Sequence, residues 1–415
     1  MHLCLDVGST WTKGVVVAPD GALAGVAQHR TTPPEVMTGV AAVTSALPPA
    51  SSVLACSSAG GGLRLAVVGQ ERLVSAEAGH RVALSAGAKV VHVSAGPLSN
   101  VYALRASDPD VVLLVGGTDG GDEKVLLHNA ACLGRARVTV PVVLAGNKSA
   151  QPEALSLLAG RTVVATDNVL PDVGELAPDP ARAAIREVFL AHVIGGKGLS
   201  RGRRFRDLVR TVTPDAVLSG VATLAAQEEG AVLVVDVGGA TTDVYSAVST
   251  ADDTPATTVA LPPDRRTVEG DIGMRVSAPG VVAEAITERL LAQDTPLAAK
   301  SAHRNENVDF VPATDDEREA DLEIARLAAT LAIRRHLRMV GRLGPTGATV
   351  LVLSGGVFRH AQSLAELEKN LRADLGPVLR NARVVVDRDG RLGPAGLLAQ
   401  AGHDTTAAAL LAALR

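Results

Sequence analysis

Aromatic residues are scarce in this chain: four Phe, two Tyr and one Trp among 415 residues. Ala, Val and Leu must do the filling, and with 47% hydrophobic and 20% charged residues the composition is that of a packed globular protein with an aliphatic core. Cysteine is scarcer still. Cys4, Cys56 and Cys132 lie far apart and form no CxxC pair, which excludes a disulfide framework and a zinc or iron–sulfur site of the usual ligand spacing and leaves burial as small hydrophobes. Neither sign of charge dominates. The 40 basic and 44 acidic residues give a net charge of −4, which supplies no general attraction to nucleic-acid backbones or anionic membranes. No apolar run approaches the roughly 18 residues that a membrane span needs, and no basic segment precedes an apolar stretch at the start. A cytoplasmic protein with no nucleic-acid or membrane partner is expected.

What is present is length and alternation. A chain of 415 residues exceeds what one hydrophobic core usually serves, and at about 150 residues per domain it predicts two or three. Short strand-like runs alternate with Ala/Leu-rich amphipathic stretches, which predicts α/β layers with parallel strands. Candidate strands include Leu3 to Val7, Gly14 to Ala18, Val53 to Cys56, Val111 to Val115, Val232 to Val235, Val244 to Val248 and Thr349 to Leu353. Candidate helices include Gln70 to Ala86, Pro214 to Gln227 and Asp315 to Leu343. The polar, turn-prone stretch "STADDTPATTVALPPDRR" reads as a surface loop.

One pattern recurs. In "LCLDVGSTWTKGVVV" an apolar run opens at Asp6, Gly8, Ser9, Thr10, Thr12 and Lys13; "AVLVVDVGGATTDVYSAV" repeats it with Asp236, Gly238, Gly239, Thr241, Thr242 and Asp243. Each is followed, at a similar distance, by a strand ending in a double glycine: "VVLLVGGTDGG", and "VLVLSGGVFRH" with Gly355 and Gly356. The chain reads as two copies of one unit. A strand–turn–strand tip rich in glycine lets backbone N–H groups approach an anion without Cβ obstruction, and Ser or Thr hydroxyls add donors. An aspartate beside phosphate donors cannot itself attract phosphate, so its presence implies a divalent cation between the two, best fitted by Mg²⁺ held largely through water. Two facing tips would clamp one nucleotide.

These residues resemble the ATPase superfamily that groups actin, sugar kinases and the heat-shock chaperone ATPase domain. "DVGSTWTK" is similar to its first phosphate motif, "DVGGATTD" to its second, "VLVLSGGVFRH" to its adenosine motif and "RLGPAGLLAQAG" to its second connecting motif. The resemblance implies an α/β fold of two actin-like (ribonuclease H-like) lobes with an ATP-binding cleft between them. It places the first lobe at 1–215, the second at 216–400 and, at 401–415, a C-terminal helix available to pack on the first lobe. It implies that Gly8, Ser9, Thr10 and Lys13, with Gly238, Gly239, Thr241 and Thr242, contact the phosphates, and that Asp6 and Asp236 hold Mg²⁺ and its waters. Gly355 and Gly356 would let adenine lie against the backbone, and Asp243 would orient the attacking water.

A narrower resemblance rests on "SSAGGGLRLAVVG", "GGTDGGDEKVLLHNA", "VPVVLAGNK", "NVLPDVGELAPDPARAAIREVFLAHVIGGKGL" and "RTVEGDIGMR". Together these are similar to the glutamate mutase accessory family, often called GlmL or MutL and unrelated to the mismatch-repair protein of the latter name. The resemblance implies an ATP-binding, ATPase-type accessory protein, a reactivating chaperone whose partners are the subunits of an adenosylcobalamin-dependent mutase, and leaves homodimerisation open. The DxHxxG signature of a cobalamin-binding subunit does not occur here, so cobalamin would belong to the partner.

Other features carry two readings. Asp119 and Asp122 follow a candidate central strand, where α/β folds place ligand chemistry. Asp119 would position water or the second shell of the metal, whereas Asp122 reads more simply as a helix cap. In "EGDIGMR", Glu269 and Asp271 lie either near the metal or in a plain capping turn. Lys197, Arg201, Arg203, Arg204, Arg206 and Arg210 form a local basic run, read as a solvated face with docking to an acidic partner as the alternative. The competing function is a small-molecule kinase of the same superfamily, for which Asp119 is the candidate base. A filament-forming member needs self-complementary surfaces that a sequence does not show, and a dehydratase activator needs cluster cysteines that this chain lacks.

Overall fold

The computed structural model describes residues 1–415 except 60–62, 72–74, 87, 137–138, 195–198, 201–203, 229, 249–263, 342, 344–346 and 415. The described residues fall into two compact units, one built mainly from Met1–Val217 with Gln400–Gly402, the other from most of the rest.

The first unit holds a mixed five-stranded sheet in the order Val209–Val212, Ser52–Ser57, His2–Val7, Trp11–Val17, Leu23–Arg30. His2–Val7 and Trp11–Val17 pair antiparallel with Asp6 opposite Lys13, and Ser52–Ser57 lies parallel to His2–Val7 with Cys56 beside Asp6. The second unit repeats this connectivity: Asp264–Glu269, Thr242–Val248, Ala231–Val237, Ala348–Ser354, Arg383–Val386. Here Asp236 faces Asp243 across the antiparallel ladder, and Ser354 lies beside it on the parallel side. Two sheets of one topology, each with three antiparallel strands followed by two parallel ones, make the chain an actin-like, ribonuclease H-like duplication.

Between Ser52–Ser57 and Val209–Val212 the first unit carries a second sheet, all parallel, in the order Lys89–Ala95, Arg64–Gly69, Val111–Leu114, Val142–Leu144, Val163–Ala165. Its central strands, VVLL and VVL, are wholly buried, as strands covered on both faces must be. One aliphatic core joins both sheets of this unit, running from Leu3, Leu5 and Val7 to Leu65, Val67, Val111 and Leu113. In the second unit the helix Asp315–Val340 is the main cover. Thr314 caps it by accepting from Glu317 N, its first turn holds Asp315, Asp316 and Glu317 against the positive end of the helix dipole, and Gly341 closes it at φ 77°. Ala325, Ala328, Ala329 and Ala332 on this helix let it approach the sheet closely, and Leu327, Leu331 and Ile333 fill the remaining space.

Three sequence expectations change. The strand that matches Ala348–Ser354 of the second unit is Ser52–Ser57, not Val111–Leu114, because the partner of the leading strand sets the equivalence; "VVLLVGGTDGG" and Asp119 belong to the inserted sheet. The last three residues of "STADDTPATTVALPPDRR" are not loop but the start of the buried strand Asp264–Glu269, where Arg266 pairs with Asp243; most of the stretch lies outside the described residues. The helix Asp404–Leu411 belongs to the second unit, tied there by Arg383 Nη1 to Leu414 O (2.9 Å) and Arg391 Nη1 to Leu410 O (3.1 Å). Of the basic run, Lys197, Arg201 and Arg203 lie outside the described residues, while Arg204, Arg206 and Arg210 are exposed. No helix among the described residues is long and apolar enough to cross a membrane.

Candidate functional site

The two hairpin tips are built alike. Gly8 N donates to Trp11 O at 3.0 Å and Gly238 N to Thr241 O at 2.9 Å. A Cβ at either glycine would stand 2.8 or 2.9 Å from that same carbonyl, so the turn demands glycine at both places.

The carbonyls of the second tip are gripped from behind. Gly238 O accepts from Met274 N (2.9 Å), Gly239 O from Arg275 N (2.7 Å) and Val276 N (3.0 Å), and Ala240 O from Ser277 Oγ (3.0 Å). A trans peptide points its N–H opposite to its C=O, so the N–H groups of Gly239, Ala240 and Thr241 are turned away from residues 274–277. Successive N–H groups presented in this way form an anion-binding nest. The first tip follows the same rule with one clamp residue: Gly8 O accepts from Thr31 Oγ1 (2.8 Å) and Thr10 O from Thr31 N (2.9 Å), which turns out the N–H groups of Ser9 and Trp11. Ser9, Thr10 and Lys13 are exposed.

The carboxylates differ between the hairpins. Asp6 Oδ1 accepts from Thr213 Oγ1 at 2.5 Å and from Cys56 Sγ at 3.7 Å. Burial, and then the Asp6 charge, push the Cys56 thiol well above its usual range, so it stays protonated as a donor. Asp236 has two acidic neighbours. Across the ladder is Asp243, whose carboxyl is pushed up by burial and by the Asp236 charge while Arg266 pulls it down. Asp387, after the strand Arg383–Val386, is likewise pushed up by burial, with Asp236 adding to it; its oxygens accept Arg391 N (2.8 Å) and Leu392 N (3.2 Å) at the start of the helix Leu392–Gln400. Among the described residues no group of three or more His, Cys, Asp or Glu forms a ready-made metal cage. A cation shared between a carboxylate and phosphate oxygens and completed by water needs no such cage.

Gly355, at φ 123°, packs so closely on the hairpin strand that a Cβ would lie 2.4 Å from Val237 O. The double glycine thus sits directly behind the tip, and the short helix Gly356–Arg359 follows. A cavity of about 730 Å³, inside the second unit, joins these parts. Val237, Gly238 and Gly239 line one side, Gly356, Val357 and His360 to Ser363 another, and Asp315, Arg318, Glu319 and Leu322 of the long helix a third. Its size lies within the roughly 300–1,000 Å³ of small-molecule sites.

Other sequence candidates are engaged elsewhere. Asp243 receives Arg266 Nε (2.9 Å) and Nη2, and Thr241 also donates to it, so it anchors the strand Asp264–Glu269 instead of facing a water. Thr242 is fully buried in its ladder, as its counterpart Thr12 is, and is not exposed to phosphate. Asp119 Oδ1 accepts from Lys148 N (2.9 Å) and Asn168 Nδ2 (2.9 Å), which fixes the loop after the central strand of the inserted sheet. Glu269 and Asp271 pair with Arg335 Nη1 at 2.9 and 2.8 Å, an ion-pair network and not a metal site. Asp122 Oδ1 accepts from Lys124 N (3.3 Å), but the N-cap of the helix Lys124–Arg135 is Glu123, so Asp122 stands one residue ahead of the expected capping position.

Sequence reasoning missed Thr213, Asp387 and Arg275. Thr213 and Asp387 each follow the fifth strand of their sheet. The signal was present in "TVTPDA" and "VVVDRDG", where a polar residue ends an apolar strand.

The family described as MutL protein matches residues 2–414 of the chain. Protein MutL of Clostridium tetanomorphum is 33% identical over 442 residues, covering 96% of each chain. Among solved structures, nucleotide-free acetone carboxylase is similar over 96% of this chain and 70% of its own, with 14% identity and a TM-score of 0.42. A ROK family glucokinase from Streptomyces griseus, in complex with glucose and AMPPNP, is similar over 96% of this chain and 98% of its own, with 11% identity and a TM-score of 0.37.

Proposed function

The chain belongs to the MutL protein family over residues 2–414, and from that premise we propose that it is an ATP-binding, Mg²⁺-dependent accessory protein of an adenosylcobalamin-dependent mutase, acting as a reactivating chaperone ATPase. The observation that carries the nucleotide part is the cavity of the second unit, in which the Gly238–Gly239 tip and the Gly356–Ser363 segment meet. Three outward N–H groups suit phosphate, the glycines of the 355–356 turn leave room for a flat base, and Asp315, Arg318 and Glu319 offer polar partners to a ribose. Gly8, Ser9, Thr10 and Lys13 of the first hairpin supply phosphate donors by the same rule, through the outward N–H groups of their own tip and exposed polar side chains. Asp236 is the stronger metal residue: the residue opposite it, Asp243, is taken up by Arg266 and competes for no cation at the tip, whereas Asp6 faces Lys13 and shares an oxygen with Thr213 and Cys56.

The mutase as partner follows from the glutamate mutase accessory resemblance and from the absence of a cobalamin signature in the chain itself. The kinase alternative loses support because its candidate base, Asp119, is tied into a structural loop. The test is to mix the protein with a mutase inactivated in its cofactor. Recovery is expected only when ATP, Mg²⁺ and intact cofactor are supplied together, with association in one nucleotide state. Absence of association in every nucleotide state, or hydrolysis driven by a small hydroxylated metabolite and indifferent to the mutase, would falsify the accessory role.

A further inference from the structure

An arginine beside a glycine-rich phosphate tip invites the reading of a phosphate clamp, and Arg275 lines the cavity next to Gly238 and Gly239. Its guanidinium, however, is spent inward. Nη1 donates to Met274 O (2.9 Å) and Asp321 Oδ1 (3.5 Å); Nη2 donates to Phe310 O (3.1 Å) and Asp321 Oδ2 (2.8 Å). All four terminal N–H bonds are thereby occupied. Asp321, 5% exposed, is itself pinned by the fully buried Arg304, whose Nε donates to Oδ1 at 2.5 Å and whose Nη2 reaches Glu317 Oε2 at 2.7 Å. The main chain of Arg275 meanwhile donates to Gly239 O at 2.7 Å.

We infer that Arg275 is a positioning residue, a strut that holds the Gly238–Ala240 tip in its anion-ready shape by anchoring it to Asp321 on the long helix, and that it does not itself bind phosphate. One end of the strut is the peptide group that turns the Ala240 N–H outward; the other is a carboxylate fixed to the helix that lines the far wall of the same cavity. The tip and the nucleoside side of the cavity are therefore one mechanical piece, and damage to the strut is felt by a ligand in proportion to its phosphates. The inference rests on the nucleotide reading proposed above.

The experiment titrates the full chain with ATP·Mg²⁺ and, separately, with adenosine, with thermal melts as a check on folding. Failure of the wild type to bind ATP removes the nucleotide reading itself, whereas the variants address the strut alone. Arg275→Met keeps the apolar stem and removes the fork. It is expected to weaken ATP about tenfold while changing adenosine by less than about twofold. Asp321→Asn keeps an acceptor for Arg304 and should give the same phosphate-dependent loss, with the double variant no worse than Arg275→Met alone. A clamp predicts the opposite sign, since Asp321→Asn would release the guanidinium and tighten ATP. Tighter ATP in Asp321→Asn, or additive losses in the double variant, overturns the inference. Should Asp321→Asn not fold, Arg275→Lys decides: the strut expects it to behave like Arg275→Met, because an ammonium cannot span the carboxylate and two carbonyls, while retention of ATP affinity through charge alone overturns it.

Discussion

Asp236 and Asp243 stand directly opposite each other in the antiparallel ladder of the second hairpin. Like charges so placed repel, and the arrangement is held by Arg266, which takes up Asp243 and leaves Asp236 as the carboxylate beside the tip. The first hairpin places Lys13 opposite Asp6 at the same register. The two tips are therefore alike in backbone and unlike in charge: one carboxylate has a lysine across the ladder, the other an aspartate already paired with Arg266.

Asp236→Asn should cut ATP hydrolysis about a hundredfold or more, since one well-placed electrostatic contact in a dry site supplies on the order of 3 kcal/mol of barrier. Steady-state hydrolysis at saturating Mg²⁺ checks it, and equal rates for variant and wild type would sink the metal assignment.

Thr213→Val should weaken ATP·Mg²⁺ binding by about tenfold, because a hydrogen bond to a charged group is worth roughly 1.5–3 kcal/mol and its loss frees Asp6 to rotate. Thr213→Ser restores the hydroxyl and should restore affinity. Calorimetric titration of the three proteins gives the answer; a Thr213→Val protein with unchanged affinity means that Asp6 is not held from this side.

The neighbouring glycines should part company on substitution. Gly355→Ala places a Cβ 2.4 Å from Val237 O at φ 123°, and a cost of about 1–3 kcal/mol in stability is expected. Gly356→Ala meets nothing within 4 Å and should fold normally, so any loss of ATP affinity there reports contact with the ligand. Thermal melts and ATP titration separate the two.

Acid should destabilise the second unit through one histidine. His336 is fully buried between Ser246 Oγ (2.9 Å) and Thr267 Oγ1 (2.9 Å), and burial, with the Arg265 charge adding, lowers its pKa to about 3. The unfolded chain takes up this proton near pH 6.5, the folded one only near 3. The stability contributed by the neutral ring is thus complete above about pH 6.5 and is lost progressively as the pH falls toward 3, at about 1.4 kcal/mol per pH unit. Denaturant melts between pH 7 and pH 4.5 should show that slope, and His336→Gln should flatten it. An unchanged slope in the variant assigns the acid sensitivity elsewhere.

The hairpins were legible in the sequence because their chemistry is local: Asp-Val-Gly, a short polar tip and a second strand at the same offsets in both copies. The equivalence of the double glycines was not, because it depends on which strand lies parallel to the first, a long-range fact. "VVLLVGG" is simply the better local match, while "SVLACS" occupies the place. The strand Asp264–Glu269 hides for another reason: two consecutive arginines read as surface until Asp243 is seen to neutralise one of them. Thr213 touches Asp6 across most of the first unit, a contact that no window of sequence contains.

The inserted sheet has a consequence for how the chain comes into being. Ser52–Ser57 pairs on its outer side with Val209–Val212, so the first sheet has an unfilled edge until residues 58–208 have been made. At about 5–20 residues per second that is a wait on the order of ten seconds on the ribosome. All five strands of the insert, Arg64 to Ala165, are made within that interval, so within the first unit the inserted sheet is complete in sequence before the sheet that begins the chain.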